Sequence, residues 1–371
     1  MNEIDLLPEA IELAGVNHVK VRIKSGPRKL LYFGGCDYFR LARSGIMGRA
    51  LIRAAASQMS VSASRMTTGN HPLYTEVEQK MARFFAAEFA LIVSNGYLTN
   101  LIAAQGMAGD FGQVWIDARA HASLQDAALH LKAGKILKFE HRSSSGVAKL
   151  YRKLPSGSRA ILLTDGMFPV DGAVAPLAEY VKVTASERVW LMIDDAHAAG
   201  VLGENGRGTI EHWGIKRERV IQTVTLGKAF GAFGGAIIGG KEFCRKVVVK
   251  SRAFTGSTPP PLPFMAVAKK SISILAHPRL RNALHNRCDH LASELEKGGF
   301  KWERNPGPIL FIPMKDEQSA SRMRGRLLKA GIYPSLLRYP GGGSEIYFRF
   351  VISSSHTPGQ LSTLAHAVCS V

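Results

Sequence analysis

Between residues 90 and 240 the sequence repeats one event: a short apolar run, a turn of small or polar residues, then a helix-compatible stretch. The runs lie at 90–94, 113–117, 135–140, 159–165, 189–194, 220–225 and 235–239. They are near-continuously apolar rather than alternating, the pattern of strands buried on both faces. Helix-like stretches such as 124–133 and 176–184 separate most of them. Strands that alternate with helices predict a mostly parallel, doubly wound α/β sheet of seven strands. Ligands of such sheets bind beyond the carboxyl ends of the strands. The segments just after the runs are therefore where chemistry is expected.

Outside this block the pattern changes. Residues 1–44 read as an N-terminal extension, helical at 8–14 and strand-like at 19–23, and 45–245 as the large domain. The corner Ser257-Thr258-Pro259-Pro260-Pro261 leads into a helical stretch at 264–275, followed by strand-like runs at 308–313 and 346–352. Residues 246–371 are thus expected to form a smaller α+β domain, with 341–344 as a glycine-rich loop.

A chain of 371 residues can bury a sizeable core. No apolar stretch approaches a membrane span, and the acidic start (Met1-Asn2-Glu3-Ile4-Asp5) lacks the features of a signal peptide, so a cytoplasmic protein is expected. The cysteines Cys36, Cys244, Cys288 and Cys369 are scattered, and the 12 histidines form neither H-E-x-x-H nor H-x-H. Neither a disulfide framework nor a metal site is indicated. Against 29 acidic residues stand 48 basic ones, a net charge of +19. Their even spread favours a solvated surface, or steering of an anionic thioester, over a nucleic-acid-binding arm.

Lys228 stands out in Thr225-Leu226-Gly227-Lys228-Ala229-Phe230-Gly231, at the end of an apolar run. In a confined site such an amine is a nucleophile. It does not belong to a P-loop, since Ala229 follows where Ser or Thr is required and Gln222 stands where glycine is needed. Asp194 and His197 close the run before it, in Asp194-Asp195-Ala196-His197, and two consecutive acids there need partners. Lysine plus carboxylate is what pyridoxal 5′-phosphate (PLP) requires: an amine to join it and an anion at its ring nitrogen. Asn95-Gly96-Tyr97 opens a helix after a strand and could receive a phosphate, or could be an ordinary capped turn. His121 could stack on a cofactor ring or sit in a capping position. Asp165-Gly166 ends another run. Arg349 is a lone charge in an apolar strand, either outward-facing or a clamp for a carboxylate.

These segments, in this order, resemble the α-oxoamine synthases, fold-type I PLP-dependent transferases, and are most similar to their 8-amino-7-oxononanoate synthase branch. The matching motifs are Ser94-Asn95-Gly96-Tyr97, His121-Ala122-Ser123-Leu124, Thr164-Asp165-Gly166-Met167-Phe168, Asp194-Asp195-Ala196-His197 through Gly208, and Thr225 to Gly231. The resemblance runs from about residue 32 to 356 and implies a homodimer with shared active sites. It implies decarboxylative condensation of a small amino acid, best alanine, with an acyl thioester, best a pimeloyl one on CoA or a carrier protein, in biotin formation. The alternatives are an aminotransferase, a synthase using glycine or serine with a different acyl donor, or a non-catalytic nucleic-acid-binding relative.

By the same resemblance Lys228 holds the cofactor covalently, Asp194 meets the ring nitrogen, His197 the ring hydroxyl and His121 the ring face. Asn95, Gly96, Tyr97 and Thr225 surround the phosphate, Asp165 lies in the cofactor site, and Ser257 and Thr258 act from the neighbouring subunit. Arg349, Cys36 and Arg65 fall on the substrate side. The chain departs from the family at Cys36, where asparagine is expected, at Tyr74 for a histidine and at Pro169 for a serine. Those changes fall around the substrate.

Overall fold

The computed structural model describes residues 10–23, 26–185, 187–338 and 346–370. Seven strands form one sheet: β1 (Phe89–Val93), β2 (Gln113–Asp117), β3 (Lys135–Phe139), β4 (Ala160–Asp165), β5 (Val189–Asp194), β6 (Val220–Thr225) and β7 (Gly235–Gly239). Their order is β1-β7-β6-β5-β4-β2-β3. The pairs from β6 to β3 are all parallel, while β7 runs antiparallel between β6 and β1.

The continuous apolar runs are explained by burial on both faces. Ile161, Leu163, Met192, Ile221 and Ile237 pack into one core. Their sequence neighbours Leu162, Leu191, Ile193 and Val220 pack into a second core with Trp115. Successive side chains of a strand point to opposite faces, so each run feeds both. β3 is the exception. As an edge strand it exposes Lys135, Ile136 and Lys138, and lysines on an edge discourage pairing with another sheet.

Four helices position the site: α1 (Gly45–Ala55), α2 (Pro72–Phe84), α3 (Gly96–Gly106) and α4 (Ala122–His130). The side chain of Asn95 caps α3 by accepting from the Leu98 N–H at 3.0 Å, and His121 caps α4.

The chain forms two compact units, one of Cys36–Asn282 with Asn305–Gly307, the other of the described residues up to Gly35 together with Ala283–Arg304 and those from Pro308 onward. The expected boundaries at 44/45 and 245/246 differ from this. The helix Leu262–Leu275 packs on α1 and α2 and buries Met265, Val267, Ala268, Ile272 and Leu275 within the first unit. The proline-rich corner turns the chain without ending a core.

The second unit is α+β. Tyr347–Val351 lies between Ile309–Pro313 and Leu336–Leu337, both antiparallel to it. The N-terminal segment joins this unit as a small sheet, in which His18–Ile23 pairs with Gly26–Leu31. The helix expected at 8–14 is not what forms over its described part: Glu12 and Leu13 pair as a strand with Lys20 and Val19. So short a segment gains more from ladder bonds than from an isolated helical turn. Residues 8 and 9, and the 341–344 cluster, lie outside the described residues. Among the described residues, no helix is long and apolar enough to cross a membrane, and no group of His, Cys, Asp and Glu could hold a metal ion.

Candidate active site

Three neighbouring strands carry polar side chains at one level near their carboxyl ends: Asp165 of β4, Asp194 of β5 and Thr223 of β6 are register partners. All are buried, so each needs hydrogen-bond partners. Asn100, from the second turn of α3, supplies several. Its Nδ2 donates to Asp194 Oδ2 at 2.6 Å and to Ser123 Oγ at 2.9 Å, and its Oδ1 accepts from Thr223 Oγ1 at 2.6 Å. Ser123 Oγ lies 2.7 Å from His121 Nδ1. The Ala196 N–H donates to Asp194 Oδ1 at 3.0 Å. One network thus joins the carboxylate of β5 to the imidazole at the start of α4.

Burial, reinforced by the neighbouring Asp194, pushes the Asp165 carboxyl well above the usual carboxylate range; the His121 N–H, which donates to its Oδ2 at 2.8 Å, opposes this. Burial lowers the His121 pKa, Asp194 raises it in part, and Lys228 lowers it further. A neutral ring there suits an aromatic contact.

Lys228 sits in the turn between β6 and β7. The turn is closed by Leu226 N–H donating to Gly234 O at 3.0 Å and Ala232 N–H donating to Leu226 O at 2.8 Å. Gly231 has φ +59°, and a Cβ there would lie 2.5 Å from Ala42 N, so glycine is required twice over. Lys228 Nζ stands 2.6 Å from His197 Nε2. The other ring nitrogen, His197 Nδ1, is 2.7 Å from the hydroxyl of Tyr38, whose side chain is fully buried.

At the start of α3, a Cβ on Gly96 would lie 2.6 Å from Thr225 Oγ1 and 2.7 Å from Thr225 Cβ. Only glycine lets the helix N-terminus come this close to the end of β6. The Gly227 N–H donates to Thr225 Oγ1 at 3.2 Å. The first turn of a helix beside a threonine hydroxyl forms a cradle for an anion.

The fold therefore brings Gly96, His121, Asp165, Asp194, His197, Thr225 and Lys228 to one end of one sheet. Tyr97 is half-exposed; its ring meets His121 edge-on at 6.1 Å and its hydroxyl donates to Asp126. Arg65 instead holds Glu78 with both terminal nitrogens, donates to Asn70 Oδ1 at 3.0 Å and lies over the Tyr74 ring at 5.1 Å. It lines a small pocket with Ser94, Phe254 and Ser257. The Ser257 hydroxyl donates to Ala253 O, and Thr258 is exposed. Tyr74 donates to Pro260 O at 2.7 Å. Cys36 is half-buried beside Asp37 and Tyr38, and Pro169 follows Phe168 in a turn where Phe168 N–H donates to Ala173 O at 2.8 Å. Arg349 belongs to the second unit, on its central strand opposite Phe311.

Asn100, Ser123, Thr223 and Tyr38 were not singled out by the sequence. The only available signal was their position, two or three residues from a residue that the motifs single out. Asp195 was marked only as a neighbour of Asp194. Its carboxylate is fully buried and accepts from Thr209 N–H at 2.8 Å, Thr209 Oγ1 at 2.6 Å and Gln222 Nε2 at 2.6 Å. Burial nonetheless pushes it up to about 6. Cβ atoms on Gly166 or Gly208 would fall 1.8 Å and 2.2 Å from its oxygens. Gly166 and Gly208 thus pack directly against the residue next to Asp194.

A lysine and a carboxylate at the ends of adjacent strands, in a doubly wound sheet with a glycine cradle, define a fold-type I PLP-dependent transferase. The family model for aminotransferases of class I and II matches residues 46–368. The 8-amino-7-oxononanoate synthase of Trichlorobacter lovleyi is 30% identical, with 93% of this chain and 89% of that protein covered. The 8-amino-7-oxononanoate synthase 1 of Bacillus subtilis is 31% identical, with 93% and 86% covered. Among solved structures, a serine palmitoyltransferase from S. paucimobilis with PLP and myriocin bound superposes with a TM-score of 0.89 at 25% identity, covering 97% of this chain and 92% of that one. The 8-amino-7-oxononanoate synthase of Francisella tularensis shares the fold, with a TM-score of 0.78 at 23% identity over 92% of this chain and 97% of that one. The chain belongs to the aminotransferase class I and II family and, within it, to the α-oxoamine synthases.

Proposed function

We propose that this chain is an acyltransferase that joins a small amino acid, best L-alanine, to an acyl thioester with loss of carbon dioxide, as in 8-amino-7-oxononanoate formation for biotin. The single observation that carries this reading is the placement of the Lys228 amine 2.6 Å from His197 Nε2, in the turn that follows the strand next to Asp194.

The residues present fit PLP. The Gly96–Thr225 cradle, which a Cβ would fill, would take the phosphate with Asn95 and Tyr97 flanking it. The buried Asp194, held by Asn100, would face the ring nitrogen, with Asp165 beside it. His121 would cover the ring face, His197 would meet the ring hydroxyl, and Lys228 would attach the cofactor. When bound, the cofactor supplies an electron sink for the bond broken at the α-carbon of the amino acid. Lys228 Nζ takes the proton from that carbon, with His197 Nε2 holding the amine in place. Asn100 keeps Asp194 aligned through an amide N–H that does not ionise. Arg349 is assigned to the substrate carboxylate, and Cys36 and Arg65 to substrate contacts. Two copies share the site, Ser257 and Thr258 reaching across, and the enzyme works in the cytoplasm. Basic charge steers the anionic thioester, on CoA or a carrier protein.

A second reading has its own support. The serine palmitoyltransferase fold superposes at 0.89, and the position where the family has asparagine is Cys36, so serine with a longer acyl donor is the alternative pair. A matrix of alanine, glycine and serine against acyl thioesters of increasing length, read as carbon dioxide release, separates them. Transamination without thioester dependence would overturn both. Visible cofactor absorbance should disappear in Lys228→Ala; a colourless wild-type protein that takes up no PLP would sink the reading.

A further inference from the structure

We infer that Tyr38 is a positioning residue for Lys228, acting through His197 by allowing its imidazole to exchange one tautomer for the other as the amine changes its proton. The inference rests on the cofactor reading of Lys228, but its geometry stands by itself. Tyr38 Oη, His197 Nδ1, His197 Nε2 and Lys228 Nζ form a single line with separations of 2.7 Å and 2.6 Å at its two ends. Tyr38 is fully buried and His197 is 6% exposed, so bulk water has little access to the Nδ1 side of the ring, whereas Lys228 is partly exposed.

The donor and acceptor inventory gives the line its function. An ammonium has only donors, so against protonated Lys228 the imidazole must accept at Nε2 and carry its proton on Nδ1, which then donates to the tyrosine oxygen. A neutral amine can also accept, which opens the second arrangement: Nε2 carries the proton and donates to Nζ, while the tyrosine O–H donates to Nδ1. The two arrangements differ by one proton, lost from the amine end, and a hydroxyl satisfies Nδ1 in both. A phenyl ring satisfies it in neither. The amine must lose its proton to attach to an aldehyde, and must regain and release one during turnover. Tyr38 is what lets the buried imidazole follow without an unpaired nitrogen.

Among the described residues, the titratable and charged groups around this line include Asp165, Asp194, Asp195 and His121 at the strand ends, with Asp37 and Arg40 flanking Tyr38 in its own loop. None of the hydrogen bonds described for these groups is made to an imidazole nitrogen of His197.

The test uses the full-length protein stripped of PLP and labelled with 15N in histidine, and reads the ring nitrogens of His197 by NMR, assigned with His197→Gln. In the wild type one neutral tautomer should dominate, switching to the other as the Lys228 amine is titrated. In Tyr38→Phe, which keeps the ring volume, the ratio of tautomers should move by about tenfold and the switch should weaken. PLP capture, followed as the rise of its visible band at fixed pH, should slow about tenfold in Tyr38→Phe. A wild-type tautomer ratio that stays the same as pH is varied overturns the inference without any variant. So does Tyr38→Phe with unchanged tautomers and capture rate. If wild-type protein captures no PLP, the cofactor reading fails, and the ring-nitrogen spectra alone decide the role of Tyr38.

Discussion

Asn100 Nδ2 stands 2.6 Å from Asp194 Oδ2, although 94 residues separate them in the chain. The contact exists because α3 begins at the end of β1 and runs across β6 and β7, which brings its second turn over the end of the sheet. The same amide reaches Ser123 and the same side chain accepts from Thr223, so removing it takes a hydrogen bond from each of three buried groups. Asn100→Ala should cost about 3 kcal/mol, the scale of leaving buried polar groups unpaired. Urea unfolding measures it. PLP affinity should fall in parallel, because Asp194 and His121 lose their common support.

Gly96→Ala tests the anion cradle separately. Its methyl would collide with Thr225, and overpacking of this kind costs about 1–3 kcal/mol. The informative readout is a comparison of ligands. Affinity for PLP should drop at least about tenfold, while affinity for pyridoxal, which has no phosphate, should change little. Equal losses for both would place the phosphate elsewhere.

Asp195 predicts a pH dependence. Its folded pKa, about 6, lies above the ordinary aspartate value of 3.8, so the native state binds the proton more tightly than the unfolded chain. Stability is then highest below the unfolded value and declines as pH rises from about 4 to above 6, where it levels off. The decline amounts to about 3 kcal/mol. Asn in its place keeps the acceptor for Thr209 N–H and Gln222, and can donate to the Thr209 hydroxyl. Across pH 4 to 7, chemical denaturation should therefore show wild type losing stability relative to Asp195→Asn. A constant difference would be the contrary result.

Arg65 and Glu78 form a buried, two-pronged ion pair, and Glu78 also accepts from the Ile92 N–H at 2.9 Å. Glu78→Gln leaves a buried guanidinium without its counter-charge, a change worth about 3 kcal/mol or more. Removing both partners with Arg65→Met and Glu78→Gln should recover part of that loss. Thermal melting of Glu78→Gln, Arg65→Met and the double variant decides it, and additive losses would mean that the pair is not coupled.

The sheet was legible because each strand feeds two cores, which writes an apolar run with few interruptions. Every predicted run became a strand within a residue or so, β3 included despite its exposed lysines. Strand order and the reversed direction of β7 were not legible, since an apolar pentapeptide reads the same in either direction. The lysine, the carboxylates and the cradle glycine could be picked out because each is an unusual residue at a strand end. Asn100, Thr223 and Tyr38 could not, since an Asn, Thr or Tyr inside a motif becomes a partner only once helices and strands distant in sequence are packed. Arg65 shows the converse limit: a charge near a motif suggests a substrate role, but its ion pair with Glu78 could be found only in the structure.

The reversed strand β7 has a mechanical consequence. Because β6 and β7 are paired up to Thr225 and Gly235, the lysine-bearing segment between them is a stapled loop rather than a free crossover. Opening it would tear the ladder that joins β1 to the rest of the sheet. The backbone under Lys228 is thus a fixed pivot, and the travel available to its amine is set by the rotations of its own methylene arm. Amide hydrogens of residues 226 and 232 should exchange about as slowly as those of the strands on either side.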